Sequence, residues 1–254
     1  MSASAILLSA GYATRLYPLT KDRPKALLPL NGGSILDEIV MSLPRALARR
    51  VLVTNHRFAE QFRAWQRERK APVEILDDGT STVETRLGAI RDLQLARTQG
   101  GATGDLLVIG TDNLFRWSLD EFVTQAKRHP AAPSIALWQA PTREEATQFG
   151  VVMLNADGRI TTFAEKSAQP PSALVSTCVY YFPEAMLGRI EEFLASGENA
   201  DAPGYFIKWL AGRMPVYGVT MSAMWYDIGT LAAYEQVRVE WPKGSHQARA
   251  EEAA

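Results

Sequence analysis

The sequence is poor in several things that would each have pointed to a function. It carries a single cysteine, Cys178, in 254 residues, which excludes an internal disulfide and a cysteine-based zinc site. Its three histidines, His56, His129 and His246, fall in no metal-ligand spacing. Charge of one sign is not in excess: 27 Lys and Arg against 28 Asp and Glu leave a formal net charge of −1. That balance argues against a nucleic-acid binder relying on bulk electrostatics. No apolar run is long enough to span a bilayer, and Met1–Leu8 lacks the basic start and long apolar core of a signal peptide. A cytoplasmic protein is therefore expected. Neither the Gly-Lys-Ser/Thr of a Walker loop nor a G-x-G-x-x-G dinucleotide turn is present. There are no repeats, no low-complexity tracts and no linker clean enough to cut the chain in two.

What is present begins with Ile6–Leu30, ILLSAGYATRLYPLTKDRPKALLPL. An apolar run, Ala5–Leu8, reads as a buried strand and breaks at Ser9-Ala10-Gly11 into a loop bearing Arg15, Lys21, Arg23 and Lys25. Pro18, Pro24 and Pro29 are expected to hold that loop extended and to deny it helix. Small residues let backbone N–H groups approach a polyphosphate while side chains neutralise its charge. By charge count alone, the same stretch reads as an ordinary strand exit with solvated cations.

Downstream, strand and helix patterns alternate. Ser34 caps a helix over Ile35–Val40, Arg50–Thr54 is a strand, and Phe58–Arg69 a helix with Phe58, Phe62 and Trp65 on one face. Val73–Leu76 is a strand, Val83–Ala96 a helix, and Asp105–Gly110 (DLLVIG) the strongest buried strand. Ser118 and Asp120 open a helix towards His129, and Ser134–Trp138 follows as a strand. Then come a hairpin (Val151–Leu154 with Arg159–Ala164), a strand at Thr177–Phe182 and a helix from Pro183 to about Leu194. A helix at Tyr205–Arg213, strands at Val216–Thr220 and Met224–Ile228, and a helix at Leu231–Trp241 complete the pattern. The tail after Pro242 is expected to be disordered. This alternation predicts an α/β protein with a doubly wound, mostly parallel sheet, whose ligands bind beyond the carboxyl ends of the strands. Charge stands at five such ends: Arg15 with Lys25, Asp77 with Asp78, Asp112, and later Glu165–Lys166 and Asp227. Taken alone, Asp112–Asn113 reads equally as a turn, Glu165–Lys166 as a solvated ion pair, and Asp227 as a helix cap beside Gly229.

The order of these residues resembles the sugar-phosphate nucleotidyltransferases. Gly11, Thr14, Arg15, Leu16, Pro18, Leu19, Thr20, Pro24, Lys25 and Pro29 fall in register with that family's L-x-A-G-x-G-T-R-L-x-P-L-T-x-x-x-P-K-x-L-[LV]-P. Phe163-Ala164-Glu165-Lys166 after Gly150-Val151-Val152 is similar to its F-x-E-K, and Trp225-Tyr226-Asp227-Ile228-Gly229-Thr230 to its W-x-D-I-G-T. The resemblance covers about Ala5 to Glu240 and implies a Rossmann-like, GT-A-like single domain with a mixed sheet over 1–241. About 1–140 would form a nucleotide-binding half and 141–241 a sugar-phosphate half. It implies transfer of a nucleotidyl group from a nucleoside triphosphate to a sugar 1-phosphate with Mg²⁺, releasing pyrophosphate, in a monomer or homo-oligomer without nucleic-acid or membrane partners.

Residue by residue, the resemblance implies nucleotide contacts from Leu8, Ser9, Ala10, Gly11, Thr14, Arg15, Lys25, Asp78, Gly79 and Gly88. Gly110, Asp112, Gly150, Glu165, Lys166 and Thr177 would hold the sugar phosphate, Asp112 and Asp227 the metal. Arg15, Lys25, Asp112, Lys166 and Asp227 would carry the catalysis. Arg86, a cation in the base-reading segment Asp77–Gly88, has a guanidinium able to stack on a base, or equally to pair with Glu84 or Asp92 at the surface. That segment lacks the Gln and the Leu-Gly-Thr of pyrimidine users. The chain departs from the family at Ala13 and Cys178, where glycines are usual, and at Ser167, where Pro is usual. Ala13 is expected to keep ordinary backbone angles, and Cys178 to narrow the sugar pocket without being reactive. Alternatives are a cytidylyltransferase acting on a phosphorylated amino alcohol or cyclitol, and an inactive nucleotide-sugar sensor. A glycosyltransferase would need a D-x-D motif, and Gly110-Thr111-Asp112-Asn113 lacks the second Asp.

Overall fold

The computed structural model describes residues 3–242. In chain order, β1 (Ala3–Leu8) leads through a loop to the two-residue strands β2 (Pro29–Leu30) and β3 (Gly33–Ser34) and helix α1 (Ile35–Ser42). Then follow β4 (Arg49–Thr54), α2 (His56–Arg69), β5 (Glu74–Asp77), α3 (Ala89–Thr98), β6 (Asp105–Gly110) and β7 (Asn113–Phe115). Helix α4 (Leu119–Ala126), β8 (Ser134–Gln139), the single-turn α5 (Arg143–Ala146), β9 (Gly150–Leu154), β10 (Ile160–Glu165) and β11 (Leu174–Phe182) come next. The chain closes with α6 (Gly188–Ala195), α7 (Pro203–Ala211), β12 (Tyr217–Met221), β13 (Trp225–Asp227) and α8 (Leu231–Glu240).

Nine strands form one mixed sheet in the order β10-β9-β11-β6-β1-β4-β5, with β8 on β11 and β12 on β8. The β5-β4-β1-β6 segment is parallel, as is β12 on β8, while β11 runs antiparallel to β6, β8 and β9. The chain winds from β1 outward to β5 and then returns to β6 on the other side of β1. The crevice between the carboxyl ends of β1 and β6 is thus a topological switch point, where open α/β sheets bind ligands. Register places Leu8, the end of β1, beside Val53 of β4 and Gly110 of β6.

The two-residue period of β1 explains its burial on both faces. Ala5 and Leu7 belong to one apolar layer with α1, α2 and α8, and Ile6 to the other with α3, α6 and α7; all three are fully buried. Each such Ile or Leu contributes roughly 1.5–3 kcal/mol. Caps begin the helices as their residue types dictate: Ser34 in a reciprocal capping box with Asp37, Asn55 on Phe58 N–H, Ser118 on Glu121 N–H.

Three expectations fail locally. The helix expected over Val83–Ala96 exists only from Ala89, because Gly88 at φ 90° turns the chain there. The helix expected from Pro183 is a short 3₁₀ turn, Glu184–Met186, followed by α6. The proline loop is not wholly extended, since it contains 3₁₀ turns, Thr14–Leu16 ahead of Pro18 and Lys25–Leu27 between Pro24 and Pro29. The expected disordered tail lies outside the described residues.

Candidate functional site

The loop after β1 is shaped by a residue of the wrong type for its angles. Ala13 sits at φ 47°, ψ 43°, left-handed, contrary to the expectation of ordinary backbone angles. Bonds within the loop hold its carbonyl: Thr20 Oγ1 donates to Ala13 O at 2.8 Å, and Leu16 N–H to the same carbonyl at 3.0 Å. Asn55 Nδ2 donates to Ala10 O at 2.9 Å, tying the cap of α2 to the loop. Cys178 also lies at positive φ, 57°. Both positions that depart from the family's glycines therefore keep a backbone that favours glycine.

At the other end of the loop, Lys25 Nζ donates to Asp112 Oδ2 at 2.9 Å and to Ile228 O at 3.0 Å. Asp112 follows β6 after Thr111, and Asn113 Nδ2 donates to its Oδ1 at 2.7 Å. Asn113 is in turn fixed by Trp225 Nε1–H, which donates to its side-chain oxygen at 2.9 Å. Antiparallel pairing of β13 with β7 sets Asp227 opposite Asn113, and Ile228 N–H donates to Asp112 O at 2.8 Å. Two carboxylates remote in sequence thus meet at adjacent strand ends. Asp227 is not the helix cap, since Thr230 caps α8.

Two cavities open at this junction. The smaller, about 210 Å³, is bounded by Leu8, Ala10 and Gly11 from β1 and its loop, by Arg86, Gly88, Ala89 and Asp92, and by Gly110 and Asp112. The larger, about 490 Å³, is bounded by Arg15, Asp112, Gly150, Glu165, Lys166 and Asp227 among others. Asp112, Cys178 and Pro203 border both. Glycines bring the walls together. A β-carbon on Gly88 would come within 2.8 Å of Ala200 O, and one on Gly150 within 2.9 Å of Glu165 Oε2.

Several expected contacts are not at these cavities. Asp78 turns inward, accepting from Thr80 N–H at 2.7 Å and Thr80 Oγ1 at 2.8 Å, and Gly79 N–H is spent on Asp77. Ser9 and Thr14 line neither, and Lys25 acts from behind Asp112. Thr177 is fully buried, its Oγ1 donating to Ala136 O at 2.8 Å. Strand alternation sends Ser176, Cys178 and Tyr180 to the cavity and Thr177 to the opposite face. Arg86 does border the small cavity, but Asp201 holds it in a fork (2.7 and 3.0 Å), not Glu84 or Asp92.

Burial would raise the Asp112 carboxyl, but the Lys25 ammonium and the hydrogen bonds around it hold it below the usual range. Asp227 is pushed up to about 6 by burial and by the charge of Asp112, against the pull of Lys25, Arg15 and Lys166. Burial, then Asp112, raises the Cys178 thiol to about 12, so it is inert at neutral pH. A hard divalent cation fits the Asp112–Asp227 pair, because it would relieve the repulsion that raises Asp227. Among the described residues no group of three or more His, Cys, Asp or Glu is placed to hold a metal, so phosphate and water oxygens would complete the shell.

The family model described as "Nucleotidyl transferase" matches residues 4–243. The chain belongs to the nucleotidyl transferase family. It is 29% identical over 230 residues to the mannose-1-phosphate guanylyltransferase catalytic subunit beta of Drosophila pseudoobscura pseudoobscura, covering 89% of this chain and 58% of that protein. It is 26% identical over 250 residues to the UTP–glucose-1-phosphate uridylyltransferase of Synechocystis sp., covering 91% and 61%. The chain thus spans a little over half the length of these relatives. A crystal structure of a putative glucose-1-phosphate thymidylyltransferase from Bacillus anthracis shares the fold, with a TM-score of 0.79 at 19% identity over 93% of this chain and 94% of that one. As a nucleotidyl transferase, the chain also shows residues its sequence did not advertise: Asp92 in the small cavity, and Ser176, whose buried Oγ borders the large one without a partner. Spacing could have found the first, since Ala89, Asp92, Leu93 and Ala96 share a helical face.

Proposed function

We propose that this nucleotidyl transferase joins a nucleoside triphosphate to a sugar 1-phosphate and releases pyrophosphate, with Mg²⁺, in the cytoplasm. The observation carrying this reading is the pair of cavities meeting at Asp112, one walled by small residues and main chain at the β1–β6 switch point, the other by Lys166, Arg15 and Glu165. The triphosphate would occupy the first and the acceptor the second. An acceptor phosphate oxygen forms the new bond to the α-phosphorus as the bond to the bridging oxygen breaks, and pyrophosphate leaves with that electron pair. No protein nucleophile is needed; alignment of two anions and neutralisation of growing charge are. Lys166 would counter the acceptor phosphate, and Arg15 the charge shared between the cavities. Glu165, backed by Gly150, would accept from sugar hydroxyls. Mg²⁺ held by Asp112 and Asp227 would supply charge neutralisation at the phosphates.

The test is pyrophosphate release with five triphosphates against a panel of hexose 1-phosphates, with phosphorylated amino alcohols and cyclitols as comparison acceptors. Release with a sugar 1-phosphate that requires Mg²⁺ supports the reading. Release only with a non-sugar phosphate would replace the acceptor class.

A further inference from the structure

Helix α7 begins with a residue that its own backbone does not call for. Pro203 and Gly204 are its first two residues, and Pro suits that place because the first helical N–H has no partner to lose. Gly204 is helical, not left-handed, so any L-residue could take its angles, and Ala suits a helix better than Gly. Space, not conformation, is what Gly204 supplies. A β-carbon there would overlap Glu165 Oε2 outright and stand 2.9 Å from Glu165 Cδ, with Phe163 at an ordinary 3.4 Å. On its other side the same oxygen is hemmed by Gly150, the ladder partner of Glu165 on β9. One carboxylate oxygen is thus seated between glycines from two separate elements, and all three residues line the large cavity. Among the described residues none donates a hydrogen bond to that carboxyl or ion-pairs with it. Burial raises it, and only the charge of Lys166 opposes. Its aim is therefore set by the shape of its seat.

We propose that Gly204 is a positioning residue for acceptor recognition: the missing side chain at the start of α7 lets the Glu165 carboxylate lie where the acceptor's hydroxyls donate to it; this rests on the sugar 1-phosphate reading of the large cavity. The atom that a methyl would meet is the tip of a flexible side chain. An alanine is therefore absorbed by turning Glu165 off its seat, with the backbone left in place. Fold and recognition come apart at this position, as they do not at Gly150, where a β-carbon would also press within 2.7 Å of buried Phe163. Gly204 borders the large cavity and not the small one, so the hold on the triphosphate is not touched.

The experiment is steady-state pyrophosphate release at saturating triphosphate and Mg²⁺, on the wild type, Gly204→Ala, Glu165→Ala and the double variant. The acceptor is glucose 1-phosphate, mannose 1-phosphate or whichever phosphate of the panel turns over fastest. Gly204→Ala should raise the acceptor KM by about 10–100-fold, as for lost hydrogen bonds to a charged group. The triphosphate KM should not change, and the ligand-free protein should melt no lower than wild type. In the Glu165→Ala background the methyl meets no carboxylate, so adding Gly204→Ala should change the KM by less than about twofold. If Glu165→Ala is too slow to assay, Glu165→Asp, drawn back by one methylene, serves as the background. A wild-type acceptor kcat/KM in Gly204→Ala or in Glu165→Ala overturns the inference and leaves the reaction class standing. So does an undiminished loss in the double variant, which would take Glu165 out of the effect. A Gly204→Ala that melts well below wild type overturns it too, since the backbone would then be the reason for the glycine. A wild type that releases no pyrophosphate with any phosphate of the panel overturns the reading beneath, and this inference with it.

Discussion

The Lys25 ammonium and the Asp112 carboxylate lie 2.9 Å apart across 87 residues of sequence, and Lys25 borders neither cavity. Its place is behind the acid, holding it charged and aimed. Lys25→Met keeps the stem and removes the charge, so turnover should fall by about 10²–10³, as for one lost electrostatic contact. The acceptor KM should hardly change, and more Mg²⁺ should be needed. The double variant Lys25→Met/Asp112→Asn should be no worse than Asp112→Asn alone, because the two act as one unit. Additive losses measured by steady-state kinetics would separate them.

Asp112 and Asp227 are paired through β7 and β13, so neither substitutes for the other. Asn at either position keeps size and strand pairing. Turnover should drop by about 10² or more in each, and the Mg²⁺-dependent thermal shift given by nucleotide should disappear. Asp227→Asn turning over at the wild-type rate at limiting Mg²⁺ would take Asp227 out of the metal site.

Lys166 borders the large cavity from a left-handed backbone, φ 46°, its N–H bound to Phe149 O at 3.0 Å. Lys166→Ala should raise the acceptor KM by roughly 10–100-fold, the worth of one charge-assisted bond, with triphosphate affinity little changed. Acceptor-saturation curves at fixed triphosphate would show it.

Gly88→Ala should be costly out of proportion to one methyl. The new β-carbon would meet main chain at Ala200 and Asp201, at 2.8 and 2.9 Å, from a φ of 90°. About 2 kcal/mol or more of stability should be lost, along with nucleotide affinity. Urea unfolding monitored by fluorescence gives the first quantity.

The Asp92 carboxyl binds its proton more tightly in the folded chain, with a value of about 7 against 3.8 for a free group. The sign follows: its contribution to stability is present in full below about pH 4 and is lost as the pH rises through about 7. Asp92→Asn should therefore match the ligand-free wild type near pH 4 and melt higher at pH 8, by an amount on the order of a few kcal/mol at most. Melts across that range, where Asp78 and Asp201 also face the group, measure the gap.

Much of the frame could be read before the structure. Ala5–Leu8 and Asp105–Gly110 are apolar runs that become the two strands flanking the switch point, and Ser34 and Ser118 announced their helices. What could not be read depends on distant partners. Residues 83–88 looked helical until Gly88 met Ala200, and Arg86 read equally as a base contact or a surface partner of Glu84 or Asp92 until Asp201, 115 positions away, took it. Thr177 was misplaced for a local reason, since strand alternation puts its neighbours Ser176 and Cys178 in the cavity instead. Ala13 was expected to keep ordinary angles because propensity concerns a single residue type, whereas the Thr20 bond to its carbonyl, seven positions on, forms only in the folded loop.

Because Asp112 borders both cavities, occupants on its two sides feel the same charge. On the proposed reading, affinities for the triphosphate and for the acceptor are then not two independent constants. Each contains a coupling free energy set by the other ligand, equal in both directions, so either molecule changes the hold on its partner by the same factor.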